Sequence, residues 1–122
     1  MKTHNAPSRA RLIKELGLTT EQADLVRAII KNTVKTTDAT LFPAANASFA
    51  TCYRMPSLAE RRMECLNEVI GGYGVEALCD GMYPNALYVN TGDTYSPTLL
   101  YCYKRSTFRL TTWGDYAEKN NL

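Results

Sequence analysis

At 122 residues, 45% hydrophobic and 21% charged, the chain is long enough to bury a core without disulfides or metal and too apolar to remain disordered. Its net charge of +2 is too small for a general nucleic-acid coat and has the wrong sign for a mimic of DNA. No run reaches the roughly 18 apolar residues of a membrane span, and the polar opening Met-Lys-Thr-His-Asn-Ala-Pro lacks the apolar core of a secretory signal. A single domain over 1–122, cytoplasmic and without membrane association, is the expectation.

Residues 1–7 read as a mobile tail ending at Pro7. Ser8 caps a short helix, Arg9 to Leu16, with Leu12, Ile13 and Leu16 inward and Gly17 as its stop. Thr19 and Gln22 have the spacing of a capping box and open a second helix, Thr20 to Lys35. Its apolar face is Leu25, Val26, Ile29, Ile30 and Val34, while Arg27, Lys31 and Lys35 repeat every four residues on another face. That basic row either keeps the helix soluble or meets an acidic partner. The Thr-rich stretch after it is a loop, and Ala44 to Ala50 is a short helix with Phe49, Cys52 and Tyr53 docked on the core. Ser57 and Glu60 form a second capping box, for a helix from Leu58 to Ile70 that ends at Gly71-Gly72. It turns Ala59, Met63, Leu66 and Ile70 inward and Arg61, Arg62, Glu64 and Glu68 to water, with Arg61 paired to one of the two acids.

From Gly74 the period changes to two. Val75 to Cys79, Ala86 to Asn90, Thr98 to Tyr103 and Thr107 to Trp113 read as strands, with Asp80-Gly81, Thr91-Gly92-Asp93 and Lys104-Arg105-Ser106 as turns. Gly114-Asp115 ends the last strand, and Tyr116 to Lys119 is a helical stub. Helices first and strands after predict an α+β fold, with residues 8–70 mainly helical and packed on one face of an antiparallel sheet of about four strands within 74–118.

Chemistry is constrained by what the body of the chain lacks. His4 is the single histidine, so a Ser-His-Asp or Cys-His nucleophile has no base within the domain. Cys52, Cys65, Cys79 and Cys102 contain no Cys-x-x-Cys pair and read as buried free thiols, with no metal and no cofactor implied. Gly71-Gly72-Tyr73-Gly74 precedes a strand and not a helix, so it lacks the amide cradle of a phosphate loop. Asp93 and Asp115 both follow glycines at strand ends, as turn caps or as a carboxylate pair on one rim. The sheet carries Tyr88, Tyr95, Tyr101, Tyr103, Phe108 and Trp113, interleaved with Lys104, Arg105 and Arg109. Alternation puts Leu99, Tyr101 and Tyr103 on one face and Leu100 and Cys102 on the other. If open, the tyrosine face suits a protein interface or stacked nucleic-acid bases; otherwise it edges the core.

Four stretches carry a resemblance: Gly72-Tyr73-Gly74-Val75-Glu76-Ala77-Leu78, Tyr88-Val89-Asn90-Thr91-Gly92-Asp93-Thr94-Tyr95, Thr98-Leu99-Leu100-Tyr101 and Trp113-Gly114-Asp115. Together they resemble a small protein type found in phages, prophages and plasmids, over residues 60–118. That type has no established activity, so the resemblance carries over no catalytic residue. It implies a setting in which small proteins inhibit host defence, anti-CRISPR proteins among them. The expectation is therefore a non-enzymatic protein that binds a host protein or ribonucleoprotein complex. Its contact surfaces would be Arg27, Lys31 and Lys35, and a sheet rim of Tyr95, Tyr101, Tyr103, Arg105 and Arg109. A nucleic-acid-binding accessory protein and a small enzyme using Asp93 and Asp115 are the alternatives. Homodimerisation through an open sheet edge is compatible with all three.

Overall fold

The structure, a computed structural model, describes residues 6–122; His4 and most of the expected tail lie outside them. The elements in chain order are α1 (Arg9–Leu16), α2 (Thr20–Ile30), α3 (Pro43–Phe49), α4 (Leu58–Ile70), β1 (Val75–Asp80), β2 (Tyr83–Val89), β3 (Thr98–Cys102), β4 (Thr107–Thr111) and α5 (Trp113–Lys119). The strands form one antiparallel meander in the order β1-β2-β3-β4. The α+β fold, with helices first and sheet after, is as the sequence predicts.

Helix starts follow their caps. Ser8 accepts from the Arg11 amide, and both capping boxes form, Thr19 with Gln22 and Ser57 with Glu60. Each box satisfies amides that the first turn leaves without an intrahelical partner. The end of α2 differs from expectation. It stops at Ile30, because Asn32 adopts a left-handed conformation (φ 60). The Asn32 amide donates to the Ile29 carbonyl at 3.1 Å and the Thr33 amide to the Ala28 carbonyl at 2.9 Å. This is a Schellman stop with asparagine in the place glycine usually takes.

Just before α1 the chain is tied down at Pro7, where the sequence predicts the end of a mobile tail. Pro7 is buried, and its carbonyl accepts from Arg27 Nε at 2.9 Å. Further along, Phe42 is fully buried and Phe49 half-buried, whereas Cys52 and Tyr53 lie exposed instead of docking.

The helix α4 lies on the sheet, with α2 and α3 packed beside it and α1 packed on α2. The main core joins Leu12, Val26, Ile29, Phe42, Met63 and Leu66 from the helical layer to Leu87, Val89, Leu99, Phe108 and Leu110 from the strands. The polar side of α4 is only partly in water. The Arg62 guanidinium lies 4.6 Å from the Phe108 ring centre and donates to the Ile29 and Ile30 carbonyls. It thereby satisfies the Ile30 carbonyl and gives the Ile29 carbonyl a second donor beside the Asn32 amide, at the cost of a desolvation that lowers its pKa. Glu68 accepts from the Ala44 and Ala45 amides at the start of α3, and Arg61 stacks over Phe49 instead of pairing with an acid.

The opposite face of the sheet is also covered. Thr112 caps α5 by accepting from the Asp115 amide at 3.0 Å, so Trp113-Gly114-Asp115 is the first turn of a helix and not the end of a strand. Gly114 presses this turn onto the loop before β3: its amide donates to the Thr94 carbonyl at 3.0 Å. A Cβ there would meet Thr94 Cγ2 at 2.5 Å. Trp113 stacks on Tyr88 with ring centres 5.5 Å apart, and Ala86, Leu100, Cys102 and Tyr116 complete a second, smaller core.

At the β1–β2 hairpin, β2 begins at Tyr83 and not at the expected Ala86, so Pro84 and Asn85 belong to the strand. Pro84 has no amide proton to donate, and it stands opposite Cys79 where the register shifts.

Candidate functional site

The two layers cover both faces of the middle strands, most of β2 and all of β3, and leave the edge strands more open. Along β4 runs a groove of about 740 Å³ lined by Ala6, Pro7, Ser8, Arg11, Arg105, Thr107, Phe108, Arg109 and Leu110. Its floor follows from hydrogen-bond alternation. The Tyr103 amide donates to the Asn85 carbonyl at 3.0 Å, so alternate residues of β3 from Tyr103 backwards bond β2 and the others bond β4. With Cys102 opposite Thr107 and Leu100 opposite Arg109, β4 turns the peptide groups of Phe108 and Leu110 outward. The Leu110 carbonyl accepts from Arg11 Nη2 at 3.2 Å. The Phe108 amide, the Phe108 carbonyl and the Leu110 amide have no backbone partner among the described residues.

The walls differ in character. On the helix-facing side stand Ala6, Pro7 and Arg11, with Arg11 Nε held to Glu15 at 2.8 Å. Arg105, on the β3–β4 hairpin, and Arg109, on the α5-facing side of β4, are exposed. Neither has an acidic partner within ion-pair distance among the described residues. Both are near enough to Tyr116 to pull its phenol pKa down, although burial and the hydrogen bond to Cys102 outweigh them and leave it raised to about 12. The groove is therefore a donor-rich strand edge with two uncompensated guanidinium groups on one side.

The other expected surface residues do not join it. Tyr101 and Tyr103 point to the helical layer, where their rings meet edge-on at 5.3 Å and Tyr101 packs 4.9 Å from Phe108. Burial, with Glu60 as the next cause, pushes the Tyr103 phenol up. The tyrosine face is thus a core face and offers no stacking platform. Tyr95 is exposed in the β2–β3 loop, and its hydroxyl donates to Glu118; that loop lies at the far end of β3, about 17 Å of strand from Tyr103.

The basic row of α2 is broken as well. Arg27 donates to Pro7, Lys31 is the C-cap of the helix, and Lys35 lies in the following loop. The two aspartates are occupied locally. Asp93 Oδ1 accepts from the Tyr95 amide at 3.2 Å, a turn-capping contact, and Asp115 Oδ2 meets Lys119 Nζ at 3.2 Å on α5. Of the cysteines, Cys65 and Cys102 are buried as expected, while Cys52 and Cys79 are exposed. Burial and the neighbouring Glu68 and Glu64 raise the Cys65 pKa to about 12, which leaves it an inert thiol.

Sequence reasoning missed Arg11, which faces β4 across 99 positions of chain. It also missed a second cavity of about 530 Å³ between the exposed 51–56 loop and β1, lined in part by Phe49, Arg54, Glu60, Glu64, Val75 and Leu87. There Arg54 pairs with Glu60 at 2.9 Å and holds that carboxyl below its usual range, while burial pushes Glu64 above it.

Comparison with protein-family models, with curated proteins and with solved structures finds no match to this chain. Among the described residues no helix is long and apolar enough to cross a membrane.

Proposed function

We propose that the chain is a non-enzymatic binding protein of the kind carried by phages and mobile elements, acting in the host cytoplasm to inhibit a defence complex through protein contacts. The observation that supports this reading most is the convergence of Arg11, Arg105 and Arg109 on the open edge of β4. Arginine is a favoured interface anchor, because its planar fork bonds carboxylates in pairs. With Tyr101 and Tyr103 turned into the core, nucleic acid has only phosphate contacts to gain here, and such binding falls steeply with salt.

The test is capture from host lysate by the purified chain, with and without nuclease, beside the double variant Arg105→Ala/Arg109→Ala. A stoichiometric protein partner that survives nuclease, inhibits a measurable defence activity and is lost with the double variant is the expected result. Capture that disappears with nuclease, or that the double variant retains in full, overturns it.

A further inference from the structure

Resting on that reading, we infer that the partner enters the groove as an extended acidic segment that adds to β4 as a fifth strand. The first reason is the pattern of the edge. Phe108 presents an amide and a carbonyl side by side, and Leu110 adds a further amide. A donor and acceptor of one residue, both turned outward, are complemented by the backbone of another strand. A phosphate chain or a small anion accepts but cannot donate, so it leaves the Phe108 carbonyl without a partner.

The second reason is the difference between the two walls. Side chains of an added strand alternate between the faces of the sheet. Those on the helix-facing side meet Ala6, Pro7 and Arg11, whose charge Glu15 already balances. Those on the other side meet Arg105 and Arg109, which have no carboxylate of their own among the described residues. The segment that fits is therefore apolar at every second position and acidic between. The bond from Arg11 to the Leu110 carbonyl closes the register at that end, so Phe108 is the centre of the pairing.

The opposite edge of the sheet is a control within the same molecule. On β1 the same alternation turns Val75 and Ala77 outward, but among the described residues the arginine that lines the cavity beside them is Arg54, which Glu60 already holds.

The experiment uses the full chain and a labelled peptide of seven residues alternating Glu and Val. Binding is read by fluorescence anisotropy, and its position by amide hydrogen exchange. The expected result is saturable binding that slows exchange at Phe108 and Leu110 and weakens at least tenfold with Arg105→Ala/Arg109→Ala. A peptide N-methylated at alternate amides keeps every charge, removes the strand donors and should bind at least tenfold more weakly, with no change to the protein's own fold. Four outcomes overturn the inference: no saturable binding, equal binding of the N-methylated peptide, protection at Val75 and Ala77 instead, and protection of Phe108 that rises with protein concentration alone, which makes a second copy the occupant. If lysate capture still depends on Arg105 and Arg109 in any of these cases, the binding-protein reading stands and only the strand-addition mode falls.

Discussion

Leu99 and Leu100 are neighbours on β3, both fully buried, yet they enter different interiors. Leu99 points into the large core made by four helices, where each neighbour is held by several others. Leu100 points into the small core under α5, a helix of seven residues held by Thr112, Gly114 and the Tyr88–Trp113 stack. A helix that short has little stability of its own. It persists because it buries Tyr116 and half-buries Trp113. Equal burial thus coexists with unequal support, and the cost of a cavity depends on how far its walls can close in.

The sharpest test of that difference is the pair Leu99→Ala and Leu100→Ala. Leu99→Ala is expected to cost about 4 kcal/mol and Leu100→Ala about 2.5 kcal/mol, within the usual range for leucine truncation. Denaturant unfolding measures both, and equal costs would show the α5 layer to be as rigid as the helical one.

Gly114→Ala comes next. It forces a Cβ to within 2.9 Å of the Thr94 carbonyl oxygen, and is expected to cost about 2 kcal/mol. The loss should be confined to the α5 side: the near-ultraviolet signal of Trp113 falls while amide protection at Leu12 and Val26 persists. Global loss of protection would make the two layers one cooperative unit.

On the helical side, Arg62→Met keeps much of the apolar stem but leaves the Ile29 and Ile30 carbonyls without their guanidinium. A loss of about 1.5 kcal/mol is expected, read as a lower denaturation midpoint at unchanged slope. The Ile29 carbonyl keeps the Asn32 amide, so a neutral result would mean that water satisfies the Ile30 carbonyl at no cost.

The smallest effects lie on α4, where two acids one turn apart have opposite signs. The Glu60 pKa is lowered, first by its hydrogen bond to Arg54. Its stabilising contribution is therefore present above the ordinary carboxylate pKa and fades as pH falls through the lowered value. Glu60→Gln should lower the melting temperature at pH 7, with the gap closing in acid. The Glu64 pKa is raised by burial, so its ionised form weakens the fold as pH rises past the ordinary carboxylate range. Glu64→Gln should raise the melting temperature at pH 7 by an amount worth less than about 1 kcal/mol after solvent screening, with no gain in acid. Parallel pH profiles for the two variants would contradict both assignments.

Much of this structure is legible in the sequence where the cause is local. Ser8, Thr19-Gln22 and Ser57-Glu60 start helices through amides three residues away. Gly17 and Gly71 stop helices because they take the left-handed conformation at no steric cost. Asn32 does the same job less visibly, which is why α2 reads as five residues too long and Lys35 as part of its basic row. Period-two alternation separates Leu99 and Tyr101 from Leu100 and Cys102 correctly, because side chains of a strand must alternate.

The sequence by itself determined the helix caps, the order of helices and strands, and which residues share each face of β3. Tertiary structure alone decided what covers those faces: Tyr101 and Tyr103 went into the helical core, Trp113 and Tyr116 closed the other side, and the groove of Arg11, Arg105 and Arg109 remained on the edge of β4. The reason is physical. Caps and alternation are set by neighbours within a few residues, whereas an edge site joins α1 to β4 across most of the chain, and its charges meet only after packing has placed both.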